Sequence, residues 1–167
     1  MARSRDDPLR APAHAERAAL ADDLTGLTAE QWRHRTLCGR WDDEAVVAHL
    51  TAAASLSRWR WRWRWRWVRS MAGGRFRVAV HNRRRMVEHR GGTPADTLEQ
   101  FRTVIDSSTA PSGHTPAHLG ELLVHAQDIR QPLGLARTPA IDALTPVADF
   151  YASREVAVRS RTAVTGL

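Results

Sequence analysis

The chain has 167 residues, of which 43% are hydrophobic and 26% charged, a length and balance that suit one soluble domain with a single buried core. No apolar run reaches the roughly eighteen residues of a helical membrane span, and the polar opening MARSRDDPLRAPAHAER lacks the apolar centre of a signal peptide. One cytoplasmic domain over residues 1–167 is therefore expected, with no membrane span.

The single cysteine, Cys38, excludes an internal disulfide and a zinc site built from cysteines. Any metal must rest on histidine and carboxylate. The net charge of +7 is concentrated between Arg58 and Arg85, where there is no acidic residue. A local basic block is a weaker sign of nucleic-acid binding than a basic domain. No helix-turn-helix, zinc-finger or RNA-recognition signature accompanies it, so nucleic acid is disfavoured as a partner.

Helix signals recur along the chain, and no β-branched run of strand length is bounded by turn residues. An all-α fold is expected. The first helix is predicted to use Asp7 as cap and Pro8 as its first residue, to carry Leu9, Ala13, Leu20 and Leu24, and to end at Gly26. Thr28-Ala29-Glu30-Gln31 opens like a capping box, with room only for a short turn before Cys38-Gly39. Asp42 caps the next helix, and Asp43 and Glu44 in its first turn complement the positive end of the helix dipole.

From there no Gly or Pro intervenes before Gly73-Gly74, which predicts a helix of about thirty residues spanning on the order of 45 Å. It contains RWRWRWRWRW, Arg58 to Trp67. On a helical wheel Trp59, Trp63 and Trp67 share one stripe near the azimuth of His49, while Trp61 and Trp65 point away. The block reads as a low-complexity expansion carried on a long helix, or as a membrane-surface or homodimer contact made by Trp61 and Trp65. A third helix is expected over Arg75 to Arg90. Thr93-Pro94-Ala95-Asp96 then supplies a cap, a first-position proline and a box acid for a helix through Leu98, Phe101, Val104 and Ile105. Thr115-Pro116 repeats the signature before AHLGELLVHAQDIRQ, which stops at Pro132, and a last helix is predicted from Ala143 to Val164.

Glu121 and His125 are four apart, so both project from one helix face with Cβ atoms roughly 6 Å apart. Alone, such a pair is as well explained by a core histidine and a surface acid. His49 adds weight, because an imidazole among Val46, Val47, Leu50 and Ala53 is costly to bury without a polar partner. Two imidazoles and a carboxylate from two packed helices would suit zinc or another divalent ion and leave a coordination position open, as catalytic sites do. His118, on the same face, is a candidate fourth ligand or a rim residue. Cys38 reads as a small buried side chain rather than a nucleophile.

The stretch ERAALADDLTGLTAEQWRHRTLCGRWDDEAVVAHL, followed at a distance by GELLVHAQDIRQPLG, resembles the N-terminal metal-binding domain of the mycothiol-dependent maleylpyruvate isomerase family, within the DinB-like four-helix bundles. The resemblance covers about Glu16 to Leu135 and is carried by Thr36-Leu37-Cys38, Trp41, His49-Leu50 and the segment from Val124-His125 to Gly134. It implies a DinB-like bundle with additional helices, His49, Glu121 and His125 as ligands of zinc or another divalent metal, and mycothiol as a thiol co-substrate. The activity implied is thiol-dependent isomerisation or transfer, in which a thiolate adds to an electrophilic small molecule. Arg130 is a candidate catalytic residue that steers an anionic substrate, with a surface salt bridge to Asp128 as the alternative; Asp128 could instead orient His125. Members commonly carry a small α/β domain after the bundle, and the sequence ends at TAVTGL, about where that domain would begin, so it is expected to be absent. Two further readings compete: a non-enzymatic bundle that binds a protein, membrane or nucleic acid through the Arg/Trp helix, and an inactive remnant that keeps the ligands.

Overall fold

The computed structural model describes residues 7–39, 41–55, 86–108 and 115–153. Five α-helices and one short 3-10 turn follow in order: α1 (Arg10–Leu24), the turn (Gln31–Arg33), α2 (Asp43–Ala54), α3 (Pro94–Arg102), α4 (Thr115–Arg130) and α5 (Ile141–Ser153). Among the described residues there is no strand, only an isolated antiparallel bridge between Arg35 and Asp42. The fold is all-α. The Arg-Trp block, most of the expected third helix, and the end of the last helix lie outside the described residues.

Local chemistry sets most helix starts. Asp42 caps α2 by accepting from the Ala45 N–H at 2.8 Å, and Thr93 with Asp96 forms a complete capping box in front of α3. The Thr28–Gln31 pair closes reciprocally, at 2.9 and 3.2 Å, and opens the 3-10 turn. The first helix corrects its expectation. Asp7 does not cap it: its carboxylate and carbonyl instead accept from the N–H groups of Leu9 and Arg10 in a tight turn. The helix begins at Arg10, with Leu9 in the cap position and no side-chain cap. Its end falls as expected, with Gly26 at a φ of 87°, where a side chain would be strained.

Helix α1 packs on α3 and α4, α2 packs on α3 and α4, and α5 lies against α4. Leu20 and Leu24 of α1, Val46 and Val47 of α2, Phe101 of α3 and Leu119, Leu122 and Ile129 of α4 meet in the core, all essentially without exposed surface. Each such side chain contributes about 1.5–3 kcal/mol on leaving water. The fit of α5 depends on Gly120. A Cβ there would lie 2.8 Å from Tyr151 Cε2 and 2.9 Å from Val147 Cγ1, inside van der Waals contact.

A buried cation fastens three segments. Arg17 on α1 donates through Nη1 to the carbonyls of Ile105 and Ser107, both at 3.0 Å, and its Nη2 lies 3.0 Å from His118 Nε2 on α4. The guanidinium is only a donor, so Nε2 of His118 accepts and the ring is neutral. Burial and the Arg17 charge, opposed by Glu121, pull the His118 pKa down to about 4.

Asp43 is the conspicuous misfit. Its neighbours in the first turn of α2 are well placed: Asp42 caps the helix, and Glu44 accepts from Arg90 and from the Thr97 hydroxyl. Asp43 is fully buried, and neither carboxylate oxygen has a hydrogen-bond partner among the described residues. Burial, and then the charge of Asp42, raises its pKa to about 7.

An unfolded aspartate titrates near 3.9. Between about pH 4 and pH 7 the folded chain therefore holds a proton that the unfolded chain has lost, and stability falls as pH rises across that window. A displacement of that size is worth roughly 4 kcal/mol. Asp43→Val, an apolar replacement of similar size, is expected to raise stability at pH 7 by about 2–4 kcal/mol and to flatten the decline between pH 4 and pH 7. Urea unfolding at several pH values checks this; an unchanged pH dependence in the variant would contradict the assignment.

Candidate metal centre

His49 sits two turns into α2, buried at 7% exposure between Val46, Val47 and Ala48 on one side and Leu50 on the other. Its solution to desolvation lies on α4. Nε2 of His49 is 3.0 Å from Glu121 Oε1. His125, one turn further along α4, presents its ring edge-on to His49, with centroids 5.3 Å apart and planes at 87°. Trp41, just before α2, covers both imidazoles, its ring 5.1 Å from that of His49 and 6.1 Å from that of His125.

His49, Glu121 and His125 each offer one donor atom, and these atoms lie within 4.8 Å of one another. The structure thus brings together the three residues that the sequence singled out. The spacing can be compared with the needs of an ion. Zinc bonds to nitrogen and oxygen of about 2.0–2.2 Å place two ligand atoms roughly 3–3.5 Å apart. The His49–Glu121 pair already stands at that separation, and the His125 donor atom lies within 4.8 Å of both. An N,N,O donor set from one side suits zinc and leaves the remaining positions open.

The electrostatics favour an anionic ligand. Burial opposes ionisation of Glu121, but the hydrogen bond from His49 and the potentials of His49, His118 and His125 outweigh it and hold the carboxyl below its usual range. An ionised carboxylate only accepts, so His49 Nε2 carries the proton in this arrangement. His125 is held from its other side: Nδ1 is 3.0 Å from Asp128 Oδ2. With Nδ1–H donating to that carboxylate, the lone pair is left on Nε2, the tautomer that a ligating histidine backed by a carboxylate adopts. Asp128 is thus placed to orient His125.

His118 is not part of this cluster, because its Nε2 is engaged by Arg17. Tyr151 of α5 was not anticipated. Burial and the nearby Glu121 charge raise its phenol pKa, which places it within the electrostatic reach of the ligand carboxylate. As the single tyrosine of the chain, in an unremarkable helix, it gave no sequence signal. Cys38 is half-buried beside the end of α4; burial and the Asp128 charge push its thiol pKa up, so it rests as a thiol.

Arg130 departs from both expectations for it. Its side chain has no exposed surface and pairs with Glu16 and, through Nε at 2.7 Å, with Asp23, both on α1. The pair with Asp128 does not form, since Asp128 faces His125. A guanidinium without access to solvent and engaged by two carboxylates cannot reach a substrate anion. Arg130 ties α4 to α1 instead.

Removing one partner of a buried pair leaves the other charge uncompensated. Arg130→Met is expected to lower stability by about 3–5 kcal/mol while the folded fraction keeps its metal stoichiometry, as read by urea unfolding beside elemental analysis. No protein-family model, curated protein or solved structure matches the chain.

Proposed function

We propose that this protein binds one divalent cation, zinc foremost, through His49, Glu121 and His125, and that it is an enzyme of thiol-dependent isomerisation or transfer. Its substrates would be a low-molecular-weight thiol such as mycothiol and an electrophilic small molecule. The observation that carries the reading is the convergence of three donor atoms from two helices within 4.8 Å, with no fourth ligand in that cluster among the described residues. The sequence resemblance over Glu16 to Leu135 supports the choice of chemistry.

Bound there, a divalent cation would lower the pKa of a thiol so that nucleophilic sulfur exists at neutral pH. The chain's own residues prepare that position. Glu121 supplies a fixed negative charge against the cation, and Asp128 holds the His125 ring and its tautomer. Trp41 shields both imidazoles from water on one side, which strengthens every charge interaction beneath it. The buried Arg17–His118 pair fixes the turn of α4 that precedes Glu121. None of these roles calls on Arg130.

Protein purified without chelator is expected to hold about one equivalent of zinc. His125→Ala should lose it, and zinc at a hundredfold excess over its dissociation constant should stabilise the wild-type chain by about 2.7 kcal/mol and not that variant. Elemental analysis and thermal unfolding read both effects, and a wild-type metal content near zero would end the proposal. The catalytic half is tested by following loss of free thiol in the presence of an α,β-unsaturated acid, with and without zinc. Metal binding without any zinc-dependent thiol consumption would leave a metal protein and remove the enzyme.

A further inference from the structure

We propose that Cys38, His125 and Asp128 form a second, outer cation seat that takes a thiophilic divalent ion and shares His125 with the inner triad. The two seats share only His125; Cys38 and Asp128 on one side and His49 and Glu121 on the other distinguish them. One donor atom from each of the three residues lies within 4.8 Å of the others, the same closeness that defines the inner cluster. All three residues are half-buried, whereas His49 of the inner cluster is buried, so the outer seat is the one nearer to water.

The donor chemistry is distinct. Sulfur beside an imidazole selects zinc, cadmium and similar ions over magnesium or calcium. A thiolate and a carboxylate together also cancel the charge of a dication, which the single carboxylate of the inner triad does not. Binding is a ligand exchange without redox chemistry: the cation forms a bond to sulfur, and the thiol proton leaves to solvent.

The sulfur is held in place by backbone as well as by chance of sequence. The Leu37 N–H donates to the Asp128 carbonyl at 3.1 Å, which seats the Cys38 loop on the last turn of α4. The Cys38 N–H donates to Thr36 Oγ1 at 3.1 Å, and that hydroxyl donates in turn to the Trp41 carbonyl at 3.0 Å. The loop is thus fastened on both sides of the cysteine. His125 turns Nδ1 toward this side, 3.0 Å from Asp128 Oδ2. A ring that keeps one proton cannot serve two cations at once, so the two occupancies oppose each other.

Cadmium titration of the metal-free full-length chain tests the seat, followed by the near-ultraviolet sulfur-to-cadmium charge-transfer band. The wild-type chain should develop the band. Cys38→Ser and Cys38→Ala should abolish it while retaining the inner equivalent, and Asp128→Ala should raise the cadmium needed for half-saturation about tenfold or more. His49→Ala, which disables only the inner triad, should keep the band, with half-saturation at the same cadmium concentration or a lower one. No band in the wild-type chain, or a band unchanged in Asp128→Ala and His125→Ala, would overturn the proposal. A chain that binds zinc through His49 but shows no band when its metal-free form is titrated with cadmium would overturn this inference alone; a band in a chain that binds no zinc through His49 would leave it standing and remove the reading of the inner site.

Discussion

An imidazole taken out of water on an apolar helix face must find a polar partner, and the candidate site grows from how His49 meets that demand. Burying it unsatisfied would cost a few kcal/mol. Its partner, Glu121, belongs to a helix remote in sequence, so meeting the demand fixes the facing of α2 and α4. Once they are fixed, the 3.6-residue period of α4 brings His125 to the same place without further instruction. The burial of one histidine therefore builds a three-donor cluster.

That arrangement depends on α4 not sliding along its axis, and two arginines prevent it. Arg17 reaches from α1 to His118 near the start of α4, while Arg130 reaches back from the end of α4 to Glu16 and Asp23 of α1. The two arginines belong to opposite helices, and their contact points on α4, His118 and Arg130, bracket Glu121 and His125 in sequence. Buried ion pairs add little to net stability because desolvation offsets the attraction. Their geometric demands nevertheless discriminate strongly among registers, since a shift of one helical turn would strand a charge.

What could be read from the sequence was chemistry that acts within one turn. The Asp42 cap, the Thr28–Gln31 and Thr93–Asp96 boxes and the Glu121–His125 spacing each involve residues three or four apart, and the all-α class follows from the sum of such signals. Arg130 shows where that legibility ends. Its partners lie 107 and 114 residues away, while the acid nearest in sequence, Asp128, is occupied by His125. Asp43 shows a subtler limit. An acid in a first turn looks favourable in any sequence, and only the packing of α2 reveals that this one faces inward with no donor to meet it among the described residues. Asp7 departs from its expected role for a local reason, because the same carboxylate can either cap a helix or close the turn before it. The closeness of Cys38 to Asp128 likewise depends on a backbone bond between segments that nothing in the sequence pairs.

The bond from Leu37 to the Asp128 carbonyl and the His49–Glu121 contact together staple residues 36–50 directly onto residues 118–130. A backbone bond spanning 91 residues of chain and a side-chain contact spanning 72 thus act as two rivets through the same seam, so a substitution that loosens the Thr36–Trp41 loop disturbs the donor geometry as surely as one made in α4 itself.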